Sequence, residues 1–163
     1  MIHETAIIEK GVILGKNVSV GAYSVIGTPA EMKGEEGISG RVRIGDNTVI
    51  REHVTIHSSR FADKLTDVGN DCYIQAHSHI GHDSKIGDNV TIACFACIGG
   101  HSIIGDWCNL GLHAITHQFT EIKKGTMLGA GAFAKGIIDS WSVYVGVPAK
   151  RIKANEYLIK KLR

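Results

Sequence analysis

The chain is predicted to be all-β: a parallel β-helix of six-residue repeats closed by a short C-terminal α-helix. Three observations predict it. Large aliphatic residues recur at every sixth position, small residues recur two places ahead of them, and glycine, often followed by Asn or Asp, recurs just behind them. A period of six matches neither a helix nor a simple alternating strand, but it does match a short strand plus a corner, stacked coil on coil.

The aliphatic column runs Ile2, Ile8, Leu14, Val20, Ile26, then Ile38, Ile44, Ile50, Ile56, and on through Val68, Ile74 and Ile80 to Leu128. Of its 23 positions between 2 and 134, 19 are Ile, Leu or Val, where random placement of the chain's 41 such residues would give about six. Met32, Ala62, Thr116 and Ala134 are the exceptions. The small column holds residues such as Cys72, Ser78, Ser84, Val90, Ala96 and Cys108. Residues two apart on a strand share a face, so each hexad buries one large and one small side chain. The glycines (Gly15, Gly21, Gly45, Gly69, Gly87, Gly105 among them) and the Asn or Asp after them are expected to supply positive φ at the corners. Three hexads close an 18-residue coil. About seven coils at ~4.8 Å each make a prism ~30–35 Å long.

Two segments interrupt the frame: the charged, Gly-rich stretch 28–43 and the polar stretch 57–67. Both have lengths compatible with a six-residue step and are read as loops extruded from corners, where functional residues are often carried. The β-helix is expected over residues 1–148. Val145-Gly146-Val147-Pro148 reads as an exit turn, and residues 149–163 as a helix with apolar sites at Ile152, Leu158, Ile159 and Leu162.

Composition narrows the function classes. The chain has 163 residues, 44% of them hydrophobic and 21% charged, with a formal charge of +2. That balance describes a folded domain and gives no reason to expect nucleic-acid binding. No apolar run is long enough to span a bilayer, and the N-terminus lacks a basic, then apolar, leader, so a cytoplasmic location is expected. The four cysteines are read as reduced thiols, since Cys94-x-x-Cys97 has no second pair with which to bind zinc.

Residues 18 apart should stack on successive coils. Gly81-His82-Asp83 then lies under Gly99-Gly100-His101, and that under His117-Gln118-Phe119. Three histidines from three coils reach one corner. His77 reaches the neighbouring corner with Phe95 and His113, while His3 and His53 join no cluster. Imidazole titrates near neutrality and suits general-base work. Asp83 is placed to support His82, and Gly99-Gly100 to leave a backbone N–H open to an oxyanion. The set fits acyl transfer to a hydroxyl or amine.

Residues 41–58 (RVRIGDNTVIREHVTIHS), 77–87 (HSHIGHDSKIG) and 113–119 (HAITHQF) resemble the UDP-N-acetylglucosamine O-acyltransferase family that begins lipid A synthesis. The hexads resemble the wider hexapeptide-repeat family, which implies a left-handed parallel β-helix. The general rule for parallel crossovers favours the opposite hand. The resemblance implies His82 as general base supported by Asp83, Gly100 as oxyanion N–H, and His79, His101, His117 and Gln118 as substrate contacts. Glu31 and Lys33 would join them if Ala30-Glu31-Met32-Lys33 matches a family loop with a one-residue shift. The family's long helical C-terminal domain has no counterpart here. The segment Val145 to Lys150 instead resembles the exit of coenzyme A-dependent hexapeptide acetyltransferases, which implies Ala149 and Lys150 near the CoA nucleotide. The resemblance further implies a homotrimer with clefts between subunits. It implies a sugar or nucleotide-sugar acceptor, a thioester donor (acyl-CoA favoured over acyl carrier protein) and no tightly bound cofactor; no residue is assigned to a metal.

Two other readings stand beside this one. A zinc enzyme of the γ-class carbonic anhydrase type would use His57, His77 and His82 with a metal-bound water. A non-catalytic β-helix scaffold would leave the histidine corner inert.

Overall fold

The computed structural model describes residues 1–34 and 40–162, so Ile38 of the aliphatic column lies outside the described residues. The chain winds as a three-sided parallel β-helix whose faces hold seven, seven and eight strands. Strands of the first face include Val25–Thr28, Thr55–His57, His79–Ile80, Cys97–Ile98, Ile115–Thr116 and Phe133–Ala134. The second includes Arg41–Ile44, Leu65–Val68, Lys85–Ile86 and Ile103–Ile104. The third runs from Ser19–Val20 to Ser142–Val145 and ends in Lys150–Ala154, its one antiparallel neighbour among the described residues.

Register follows the 18-residue rule where no loop intervenes: Ile80 pairs with Ile98, and Ile98 with Thr116. Across the first loop Ile26 pairs with Ile56, and across the second Ile56 with Ile80. The first insertion is thus two hexads long and the second one, and each restores the frame. Both leave the first face and enter the second, so both loops belong to one corner. They are shorter than the sequence suggests. Arg41–Ile44 and Leu65–Val68 are strands with alternate residues buried, and His57 ends a strand. Arg41, Arg43 and Asp67 read as loop because they are polar. They are the outward half of an alternating pattern whose inward half is Val42, Ile44, Thr66 and Val68.

The large aliphatic column fills the core: Ile26, Ile44, Ile50, Ile74, Ile92, Leu110 and Leu128 are fully buried. The small column lines the corners, and its polar members bond to backbone carbonyls. Ser24 Oγ donates to Arg51 O at 2.6 Å, Thr48 Oγ1 to Gly69 O at 2.8 Å and Ser102 Oγ to Gly99 O at 2.6 Å. All four cysteines are free thiols. Cys72 and Cys108 are buried in this column, and burial pushes each up to about 11.

The corner glycines do a different job from the one expected. Positive φ falls two residues after the glycine position of the hexad: at Asn47, Asp71 and Asn89, as expected of Asn and Asp, at Asp83 and His101, and at His53, His77 and Phe95, where that position holds Arg51, Gln75 and Ala93 instead of glycine. Gly81 and Gly99 are needed for close approach: a Cβ there would lie 2.7 Å from Gly100 N and 2.6 Å from Gln118 N respectively. At the corner between the second and third faces, Asp46, Asn70, Asp88 and Asp106 accept the backbone N–H of the coil beneath, as when Asn70 N donates to Asp88 Oδ1 at 2.7 Å. At the corner between the third and first faces, Tyr23, His53, His77, Phe95 and His113 form a ladder of stacked rings 4.7–5.2 Å apart. His53 therefore does join a cluster, because the second loop adds a hexad to the coil that separates it from His77.

The tail differs from the helix expected over 149–163. Lys150–Ala154 turns back antiparallel on Ser142–Val145, and among the described residues of the tail only Glu156–Lys161 is helical. Asn155 starts the helix: its side chain accepts the Leu158 N–H, and its Nδ2 donates to Gly125 O at 2.9 Å. The free edge of the last coil recruits residues whose spacing alone suggests a helix.

Candidate functional site

Both loops and the histidine motif share the corner between the first and second faces. Asp83 stands there in the left-handed region, φ 60°. Its carboxylate is held from three sides. Ser59 Oγ donates to Oδ1 at 2.5 Å, the Arg60 N–H donates to Oδ2 at 3.3 Å, and His82 Nδ1 lies 2.8 Å from Oδ2. The Asp83 N–H donates to Thr66 Oγ1 at 2.8 Å. Burial pushes the carboxyl up, but the hydrogen bonds from Ser59, His82 and Arg60, with His101 nearby, outweigh it and hold it below the usual carboxylate range. Asp83 is therefore an anion at neutral pH. It draws the His82 ring proton to Nδ1 and leaves Nε2 as the basic nitrogen.

The His82 ring lies against Gly100. A Cβ on Gly100 would be 2.8 Å from His82 Nε2, so only glycine admits the ring. Among the described residues no acceptor takes the Gly100 N–H, whereas at the equivalent place on the Asp/Asn corner the N–H groups of Lys16, Asp46, Asn70 and Asp88 are bonded to side chains. The His82 ring thus packs on a residue whose backbone donor has no acceptor among the described residues. His101 packs its ring edge-to-face on His82 at 5.0 Å, stacks on Phe119 at 4.5 Å, and brings Nε2 to 3.8 Å from Asp83 Oδ2. Burial lowers its pKa more than Asp83 raises it.

His79 lies one strand earlier, on the outward side of the first face. Its Nδ1 is 2.8 Å from Thr55 Oγ1, and its ring meets that of His57 at 4.9 Å, edge on. Burial lowers the pKa of both, which favours their neutral forms at pH 7. Glu31 reaches this pair from the first loop, its Oε1 4.0 Å from His57 Nε2. Lys33 is exposed in that loop.

His117 and Gln118 are exposed on the coil above. His117 shares the corner with His82 and His101, but its side chain turns elsewhere: Nδ1 is 3.0 Å from Gln118 O, and the ring lies edge-on to Phe133 at 6.3 Å. It is Phe119 that continues the Asp83–His101 column. Ala149 is half-buried and donates its N–H to Phe133 O at 2.8 Å, so the exit segment lies on the coil that carries Phe133. Lys150 is exposed.

Ser59, Thr66 and His57 complete the site and are not evident from the motif. Ser59 stands one coil before Asp83 once the inserted hexad is counted. The histidine trio His57, His77 and His82 is not assembled, since His77 is stacked between His53 and Phe95 on the other corner. Among the described residues, the set able to hold a metal ion is His82, Asp83 and His101, with ligand atoms within 4.8 Å of one another.

This fold with a His–Asp pair beside an open backbone N–H defines the class of hexapeptide-repeat transferases, and comparison supports that class. The bacterial transferase hexapeptide model (six repeats) matches residues 66–100. An acyl-[acyl-carrier-protein]–UDP-N-acetylglucosamine O-acyltransferase of Campylobacter concisus is 30% identical over 176 residues, covering 84% of this chain and 67% of the relative. The Burkholderia mallei protein of the same name is 40% identical over 115 residues, 69% of this chain but 44% of the relative. The structure of the UDP-N-acetylglucosamine acyltransferase LpxA of Bacteroides fragilis superimposes with a TM-score of 0.94 at 25% identity, over 99% of this chain and 63% of that one. The chain belongs to the hexapeptide-repeat acyltransferases, most like the UDP-N-acetylglucosamine O-acyltransferase family, and has their left-handed β-helix.

Proposed function

We propose that the chain transfers an acyl group from a thioester to a hydroxyl or amine of a nucleotide-sugar, with His82 as general base. The observation that carries this reading is an imidazole held by Asp83 whose Nε2 packs against Gly100, a residue whose N–H has no acceptor among the described residues. Nε2 takes the proton of the acceptor as its oxygen or nitrogen attacks the thioester carbonyl. The Gly100 N–H donates to the oxyanion of the tetrahedral intermediate. As the intermediate collapses, the thiolate leaves and recovers the proton from the imidazolium, which Asp83 has stabilised meanwhile. His101 packs against the base, and His79, His117, Gln118, Glu31 and Lys33 are assigned as substrate contacts.

The names of the relatives support a UDP-sugar acceptor, and acyl carrier protein as one donor. The segment Val145 to Lys150, in its resemblance to the exit of coenzyme A-dependent hexapeptide acetyltransferases, supports acyl-CoA, with Ala149 and Lys150 near its nucleotide. No resident cofactor is required. A homotrimer, in which a neighbouring prism walls the corner from water, completes the reading. Both co-substrates are charged and water-borne, which favours a cytoplasmic reaction. No helix among the described residues is long and apolar enough to cross a membrane.

The test is thiol release from acetyl- and 3-hydroxyacyl-CoA, and from the matching acyl carrier protein thioesters, with and without UDP-N-acetylglucosamine or its 3-amino analogue, with the product identified by mass. Release that requires the acceptor is expected. Absence of transfer from every thioester to either sugar would overturn the reading and favour a non-catalytic scaffold.

A further inference from the structure

On the second face, beside the catalytic corner, the second loop overhangs a groove of about 540 Å³ whose floor includes Asp83 and His101. Its charges can be accounted for pair by pair. Arg43 is spent on Asp67, which it grips through both Nε, at 2.7 Å, and Nη2. Asp83 is spent on His82 and Ser59. Lys64 and Lys85 remain, both lining the groove, both exposed, and neither paired with a carboxylate among the described residues. The Lys64 ammonium is steered by Phe61, 4.5 Å above the ring centroid, and Phe61 lines the groove too. Lys85 projects outward between Asp67 and Ile103, its neighbours in register. Two unspent cations and an aromatic wall thus stand in a concave site contiguous with the base.

We propose that this groove binds the diphosphate of a substrate, with Lys64 and Lys85 as its anion contacts and Phe61 as its wall. The inference rests on the acyl-transfer reading only for its purpose. Such a reaction needs one phosphate-bearing molecule anchored within reach of His82, and a groove that shares Asp83 and His101 with the reacting corner provides the anchor. The nucleotide-sugar and coenzyme A both carry a diphosphate, so the chemistry is common and the source is separable.

The experiment is calorimetric titration of the full chain with UDP and, separately, with coenzyme A. It uses wild type, Lys64→Gln, Lys85→Gln, the double variant and the double Lys→Arg variant, each checked for its fold by circular dichroism. Each Gln substitution should weaken one of the two ligands about fivefold to twentyfold, and the double variant more than either, with affinity restored in the Arg variant. The ligand that moves identifies the source. Binding of both ligands by the double Gln variant with wild-type affinity would overturn the proposal, as would binding of neither by the wild type. Because binding is read without chemistry, a chain that binds but does not transfer acyl groups would sink the catalytic reading and leave the groove standing.

Discussion

Gly100→Ala isolates the imidazole from the backbone donor beneath it. Gly100 is not among the residues with positive φ, so alanine suits its backbone. The methyl group would meet His82 Nε2 at 2.8 Å, Cε1 at 3.0 Å and Cδ2 at 3.1 Å. Ordinary contact needs about 3.5–4.0 Å, so the ring must retreat by roughly 0.7–1.2 Å. It cannot do so and keep its 2.8 Å bond to Asp83, because Ser59, the Arg60 N–H and Thr66 pin that residue. A displacement of about 1 Å in a reacting group is worth about a hundredfold in rate. The alanine keeps the N–H, so the loss belongs to the base. The assay is kcat by thiol release, with circular dichroism as a control for the coil. A kcat within threefold of wild type would refute the argument that this contact positions His82.

Ser59→Ala should destabilise the protein by about 1–2 kcal/mol at pH 7, since the serine both donates to the Asp83 carboxylate and accepts the Phe61 N–H. Asp83 is held below its usual pKa, so its share of that stability is present above about pH 4 and lost as pH falls through the native value. The gap between variant and wild type in urea unfolding should therefore narrow from pH 7 to pH 3, and a gap independent of pH would assign the whole loss to Phe61. With Cys72 and Cys108 pushed up to about 11 and buried, a thiol reagent at pH 8 should label no more than Cys94 and Cys97 in the folded chain and all four cysteines after denaturation. Rapid labelling of all four in the native state would contradict the packing of the small column.

The fold was legible because the aliphatic residues are few in kind and strict in spacing. One buried Ile, Leu or Val per hexad leaves no other architecture that hides them all. The site was legible where stacking is uninterrupted. Asp83 and His101 are separated by one unbroken coil, and they meet. Counting failed where a loop intervened. Ser59 and His53 are displaced by the inserted hexad, so the serine that anchors Asp83 and the first histidine of the ring ladder stayed hidden. Direction is harder to read than column: His117 shares the corner but bonds to its neighbour's carbonyl, a choice made by side-chain torsions that spacing does not encode. The corner glycines misled for a similar reason. Their role is to let backbones of adjacent coils touch, which depends on a neighbour one full turn of the prism away.

The central claim is that His82, held by Asp83 over Gly100, removes the proton in acyl transfer. It is tested most directly by the single-turnover rate of His82→Ala with pre-bound thioester and nucleotide-sugar, in protein whose circular dichroism matches wild type. The account predicts a fall of about 10²–10⁴ with both substrates still bound. A rate unchanged from wild type would contradict it.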